Sequence, residues 1–336
     1  MSQELNNLFR SNPFGFARAN VLWPGDAEGV NGLQPNVSTG LFTAKASVAS
    51  GESLFVLKGE KRIWSCDLER QNGRVLLRKR PGRVDAPAMA IYYLPWSKDQ
   101  LLRTTLRRTR DQAQRGAKAA IAANPANAMA MPAQDTNDPD IFFTAGVNGC
   151  MVAVEGTREE PTVYHCNAIS TGGSPMQAAL EARDAGLAQN RIDAKVNWMS
   201  TRLTTMSAAA PKPAKGLVQT AGGRKATIQS DYMLLADGNE LGAGQEAQWA
   251  NIQASIVRTI GLQRQSDKRV RIVKSLGTIF GNRSAGQWTF YFQKLVCYEI
   301  WRKTGTVFKT WQQDQGNLWY PAECREFWPN GGGHAV

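Results

Sequence analysis

An α+β (mixed α/β) fold is predicted for this chain of 336 residues, and three features of the sequence predict it. Short apolar runs bounded by Gly, Pro and Asn recur from Ser53 to Trp311 and read as strands. Helical spacing of apolar residues is confined to a few scattered stretches. Strands and helices also fail to alternate in the regular series that a doubly wound sheet requires. The composition is 42% hydrophobic and 20% charged, ordinary globular usage that supports a core and excludes wholesale disorder. The length suits one large domain or two small ones.

Residues 1–50 are rich in Asn, Gly, Pro and Ser with little periodicity, and are expected to form an irregular arm or cap. The body is expected over 51–300. It begins with the β runs Leu54–Leu57, Arg62–Cys66 and Val75–Leu77, the last two separated by a turn at Gln71-Asn72-Gly73. Ala88–Leu94 is a buried-strand candidate stopped by Pro95. Ser97 and Gln100 then form a capping box, and Leu101, Leu102, Leu106 and Ala113 continue it as a helical stripe. On that helix Arg103, Arg107 and Arg110 fall on one side, a solvated face suited to docking an acidic partner.

The Ala/Asn/Pro/Met-rich segment Ala117–Gln134, within an insertion near 107–137, has low complexity. Asp140–Ala145, Cys150–Val154 and Thr162–Asn167 read as strands, and Ser174-Pro175 opens a helix with a cap and an N1 proline. Ala208–Gly216 is a linker or loop, and Gln245–Leu262 is an amphipathic helix. Five short strand-like runs follow between Val270 and Trp311, and 301–336 is expected as a C-terminal extension packed on the same domain.

The net charge of +12 is unevenly spread. Residues 58–115 carry fifteen basic against six acidic side chains, whereas 116–170 carry two against six. Such a basic segment favours an acidic neighbour, whether nucleic acid, anionic membrane or protein. The chain has no zinc-finger, RNA-recognition or basic-zipper signature. The longest apolar runs fall far short of the ~20 residues of a membrane span, and no classical secretory signal is readable at the N-terminus. Five cysteines, an odd number, exclude a simple disulfide framework, and two histidines exclude a metal site built from several imidazoles.

One of those histidines, His334, sits in a Gly-rich tail, so catalysis by a structured imidazole must use His165. Cys150 and His165 flank the polar loop Glu155–Glu160, which reads as the turn of a β-hairpin. A loop centred between Thr157 and Arg158 sets Cys150 directly opposite His165 on one face, with Cβ atoms ~4.5–5.5 Å apart. A slip of register would separate them. An imidazole beside a thiol holds it as the nucleophilic thiolate and then protonates a leaving amine. Gly149 lacks a Cβ and lets substrate approach, so backbone N–H groups near Asn148, Gly149 and Cys150 are candidates for an oxyanion hole. Thr144, six residues before the thiol, is a candidate to orient the imidazole or a water. The plainer alternative makes Cys150 a small buried hydrophobe and His165 a polar strand residue. Cys166 should face away from the histidine's side, and Cys66, Cys297 and Cys324 read as core.

Ile141-Phe142-Phe143-Thr144, Gly149-Cys150 and the returning His165 resemble the cysteine-dependent glutamine deamidase toxins, the group of the Burkholderia lethal factor and the catalytic domain of cytotoxic necrotizing factor. Leu94-Pro95-Trp96 upstream, and Gly277-Thr278-Ile279-Phe280-Gly281-Asn282-Arg283 followed by the strand Gln287–Phe292, add to the likeness. The matches run in islands from Ser53 to Gln293. One departure stands out, because the family's Leu-Ser-Gly-Cys is Val147-Asn148-Gly149-Cys150 here. The resemblance implies a central β-sandwich of mixed sheets surrounded by helices and loops. It also implies Cys150 as nucleophile, His165 as base and acid, Thr144 as the orienting third member, and no metal or cofactor.

The implied function is a toxin or virulence effector, a hydrolase that converts one glutamine of a host target protein to glutamate. It would be secreted by a bacterium and act in the target-cell cytoplasm. By resemblance the target is the DEAD-box RNA helicase of eukaryotic translation initiation. Rho-family GTPases, by deamidation or transglutamination, are the alternative. A non-catalytic basic module that binds nucleic acid or protein is the competing class, and a cysteine peptidase a third. The expected partners are thus a target protein and an acidic docking surface, with nucleic acid less favoured and no membrane span.

Overall fold

The computed structural model describes residues 2–24, 42–47, 53–57, 63–79, 88–94, 101–106, 138–147, 151–166, 226–228, 243–305, 310–329 and 334–335. The chain starts with α1 (Ser2–Ser11), α2 (Pro13–Ala19) and β1 (Val21–Trp23). It continues through β2 (Phe42–Ser47), β3 (Ser53–Leu57), β4 (Ile63–Gln71), β5 (Arg74–Lys79) and β6 (Met89–Leu94). Next come β7 (Leu101–Thr105), β8 (Ile141–Thr144), β9 (Met151–Gly156), β10 (Pro161–Cys166) and β11 (Ala226–Ile228). It ends with α3 (Ala243–Thr259), β12 (Lys268–Ser284), β13 (Gln287–Thr304), β14 (Thr310–Trp328) and β15 (His334–Ala335).

The strands form two mixed sheets, so the predicted α+β class is the class observed. The larger has the order β1-β5-β4-β6-β8-β12-β13-β14 and the smaller β15-β11-β9-β10-β7-β3-β2. Parallel pairs join β1 to β5, β6 to β8 and β3 to β7, and the remaining pairs are antiparallel. One core is shared by both sheets: Tyr92, Phe142 and Phe290 of the larger meet Leu102, Val154 and Val163 of the smaller. The sheets therefore stack face to face as a sandwich.

The other face of the larger sheet is apolar too, and α1 and α2 cover it with Phe9 and Phe16 against Phe143 and Phe280. This double burial explains β6. It sends Tyr92 and Leu94 toward the smaller sheet and Ile91 and Tyr93 toward the helices, and so reads as a continuous apolar run. Residues 2–19 are thus helical where composition suggested an irregular arm. The caps account for part of this: Asn12 accepts from Gly15 N at 2.9 Å, and Pro13 begins α2.

Two buried amides lock the N-terminal segment in place. Past the end of the β4–β6 ladder, the Asn6 carbonyl accepts from Leu68 N at 2.9 Å, and its NH2 donates to Asp67 at 2.8 Å. Gln293, fully buried on β13, accepts from Leu22 N at 3.1 Å and donates to the carbonyls of Ala17 and Asn20. Gln293→Leu keeps the volume but strands three backbone groups, two of them buried. We expect a loss of about 2–4 kcal/mol, read as a lower urea midpoint. An unchanged midpoint would mean that the latch adds nothing.

Several expected elements take another form. The stripe from Leu101 is strand β7, not a helix: it pairs with β3 on one side and β10 on the other. Leu102 and Leu106 fit either periodicity, and completing two ladders decides for the strand. The five short runs after Val270 are three long strands, of 17, 18 and 19 residues. Polar residues such as Lys274 and Glu299 interrupt the apolar pattern without ending the strand. The boundary expected at residue 300 falls inside β13, and β14 pairs along it. The Asn72-Gly73 turn is observed, with φ of 50° and 73°, the left-handed pair of a two-residue hairpin. Helix α3 matches the expected amphipathic helix and packs Ile256 over Val296, Tyr298 and Ile300. The Ser174-Pro175 helix, the Ala208–Gly216 linker and the 107–137 insertion lie outside the described residues.

Candidate active site

Strands β9 and β10 form the expected hairpin, but in another register. His165 is opposite Val152, and Cys166 is opposite Met151. The loop is Thr157–Glu160, centred one residue later than the sequence suggested, because Gly156 stays paired with Pro161. Gly156 ends β9 at φ +95°, and a Cβ there would lie 3.1 Å from the Glu160 carbonyl oxygen. Within the loop, Thr157 Oγ1 accepts from Glu160 N at 3.1 Å. The loop is tied to the larger sheet by Trp288 N donating to Arg158 O at 2.8 Å. Cys150 is therefore not the residue opposite His165. Cys150, Gly149 and Asn148 lie outside the described residues.

Alternation sends Val163 and His165 to the inner face of β10, where Val163 joins the core between the sheets, and His165 is fully buried. Its neighbours across the two ladders, Val152 and Leu102, are both buried. Thr144 closes β8 in the opposite sheet. It shares the parity of Phe142 and is paired with Leu94, both in that same core. The two predicted polar residues thus come from facing sheets and point into one interior layer. The Thr144 hydroxyl donates to Ala145 O at 2.7 Å.

The chain between them crosses from one sheet to the other. Ala145 N donates to Leu94 O at 3.0 Å, and Val147 exchanges two 2.8 Å backbone bonds with Gly277 of β12. Val147 is thus held on the larger sheet, whereas Met151 begins β9 in the smaller. Three residues, Asn148-Gly149-Cys150, separate them in the sequence. Arg283 anchors the start of β8: Nε meets Asp140 at 2.7 Å, and Nη2 donates to the carbonyls of Asp138 and Pro139. Arg283 thereby fixes the strand that Thr144 closes.

Arg103 is not part of a solvated docking face. It is buried on β7 opposite Tyr164, because in a strand alternation sets it on the face away from Leu102 and the inter-sheet core, beside the Tyr164 phenol. Arg107 and Arg110 lie outside the described residues. Sequence reading missed what backs the histidine: on the other face of β10, the Tyr164 hydroxyl donates to Glu155, with Arg103 alongside. That Tyr164 and His165 face opposite ways was readable from alternation. The source of the arginine was not, since the spacing of Leu102 and Leu106 also fits a helix.

Burial, and next the Glu155 carboxylate, push the Tyr164 phenol well above its ordinary value, although Arg103 opposes the shift. The folded state therefore keeps this proton where the unfolded chain loses it. Stability from this group is complete below pH about 10 and declines as the pH rises above it. We expect the urea midpoint to fall between about pH 8 and pH 11, and to fall less in Tyr164→Phe. Parallel declines in the two proteins would refute this role for Tyr164.

Cys66, Cys297 and Cys324 bear out the core reading. Cys66 and Cys297 are buried and Cys324 is half-buried. Burial raises all three thiols, Cys324 to about 12, so they stay protonated near neutrality. Among the described residues no helix is long and apolar enough to cross a membrane, and no three His, Cys, Asp or Glu side chains gather as a cation site. No protein-family model matches the chain, and no curated protein does either.

Proposed function

We propose that the chain is a protein-glutamine deamidase of the toxin or effector type. The observation that carries this reading is the burial of His165 on the inner face of β10, one residue from the pair Cys166–Met151, with Met151 directly following Cys150. Thr144, facing the same interior layer from the other sheet, supports it.

In the proposed reaction the Cys150 thiolate attacks the carboxamide carbon of a target glutamine. The C–N bond then breaks, and the imidazolium of His165 gives its proton to the departing ammonia. Water adds to the thioester with His165 as base, releasing glutamate and restoring the thiol. The net change is glutamine plus water to glutamate plus ammonia. Backbone N–H groups near Gly149 receive the oxyanion, and Asn148 borders it where the family has serine. Thr144, whose proton is engaged by Ala145 O, has lone pairs with which to accept an imidazole N–H.

The resemblance makes the translation-initiation DEAD-box RNA helicase the first target to test and Rho-family GTPases the second. It also supports secretion and action in a target-cell cytoplasm. The decisive experiment incubates wild type and Cys150→Ala with each candidate and follows target peptides by mass spectrometry. A gain of ~1 Da at one glutamine, absent with Cys150→Ala, is expected from amide-to-acid acyl transfer. No thiol-dependent gain on either target class would overturn the assignment.

A further inference from the structure

The far half of the β12–β14 meander has two unlike faces. Even-numbered residues of β13, Val296, Tyr298 and Ile300, lie under α3. The odd-numbered ones face the other way, on the side of the larger sheet turned from the smaller one, where Tyr291 packs beside the N-terminal helices. Past those helices this face carries indoles and cations. The Arg269 guanidinium stands 4.4 Å from the Trp311 ring centre and 5.7 Å from that of Trp301, and Arg271 also lies over Trp301. Further along, Lys274 approaches Trp319, which meets Trp23 at 4.7 Å, and Trp23 is covered by Arg74 at 4.9 Å.

The balance of charge on this strip is strongly positive. Arg269, Arg271, Lys274 and Lys303 are exposed, and among the described residues none of them is in an ion pair. On the α3 side, by contrast, Lys268 and Arg302 share Asp314. Glu299, a carboxylate within the strip, accepts from the Trp301 indole N–H at 2.8 Å, which fixes that ring. From Arg269 to Lys274 the strip runs ~17 Å at the usual rise of a strand.

We propose that this strip binds single-stranded nucleic acid. Unpaired cations at this spacing attract a phosphate backbone, and partly exposed indoles on a sheet provide the platform on which splayed bases stack. A duplex hides its base faces, and an acidic protein patch would engage the cations and leave the indoles unused. The strip is on the opposite side of the larger sheet from Thr144, so this binding is separate from the proposed deamidase chemistry.

The test is fluorescence anisotropy of the full chain with a labelled fifteen-nucleotide U-tract RNA. Expected are binding, quenching of tryptophan emission, and a slope of log affinity against log salt of about −3, from four cations at about 0.7 each. Trp301→Ala should weaken binding by about tenfold. The exposed double change Arg269→Glu and Arg271→Glu should flatten the slope without moving the melting temperature, and Cys150→Ala should bind as wild type does. Three results would overturn the proposal: no binding at low salt, an affinity indifferent to Trp301, or displacement of the RNA by base-free polyphosphate as readily as by unlabelled RNA. Sedimentation with anionic vesicles in the absence of RNA binding would assign the strip to a membrane surface instead.

Discussion

His165→Gln is expected to reduce target deamidation by about two to four orders of magnitude, the range of a lost general acid–base, while leaving the protein folded. Glutamine keeps a polar group within the layer formed by Val152 and Leu102. Its pKa, however, lets it neither take a proton from a thiol nor pass one to ammonia. The same variant should slow alkylation of Cys150 near neutral pH. Three cysteines serve as internal references, because burial holds Cys66, Cys297 and Cys324 protonated. In the wild type Cys150 should label well before them, and in His165→Gln its lead should disappear. A Cys150 that labels no faster than those three in the wild type, or a lead untouched by His165→Gln, would remove the thiolate from the mechanism and favour the inert-cysteine reading.

Phe290→Ala should be the most damaging single change to the fold, at about 3–5 kcal/mol for a fully buried ring. Phe290 is at the centre of the inter-sheet core, with ring centres 5.5 Å from Phe142, 5.9 Å from Trp288 and 5.6 Å from Trp328. Directly across the β12–β13 ladder is Gly281. A Cβ at Gly281 would come within 2.9 Å of the Phe290 ring, so the ring lies against bare backbone. Gly281→Ala alone should therefore cost about 1–3 kcal/mol through overpacking. The pair gives a sharper result than either change. With the ring removed, the added methyl has room, so the double variant should lose less than the two single losses combined. Additive losses in urea titrations would show that the ring and the glycine do not pack as described.

How legible each part was depended on whether its signal was local. The Asn72-Gly73 turn, strand β6 and helix α3 announce themselves through turn chemistry and apolar spacing, and they appear where expected. The stripe from Leu101 did not, since Leu102 and Leu106 satisfy two periodicities and only pairing with β3 and β10 resolves them. Arg103 was misread for the same reason. The long strands after Lys268 were fragmented in sequence because their polar positions belong to a face that carries indoles and cations, not to breaks in the backbone.

The candidate site divides in the same way. Residue chemistry alone singled out His165, since the other histidine sits in the glycine-rich tail, and alternation alone set Tyr164 and His165 on opposite faces of one strand. The hairpin itself was readable from the polar loop before Pro161. Its register was not, because moving the centre of the loop by one residue moves every cross-strand partner by two, and the centre was decided by Gly156 remaining paired at a positive φ. Only the tertiary structure could decide that Thr144 and His165, from different sheets, face one interior layer. That placement follows from the burial of Phe142 against Val154 and Val163, a long-range packing choice that no local pattern of residues encodes.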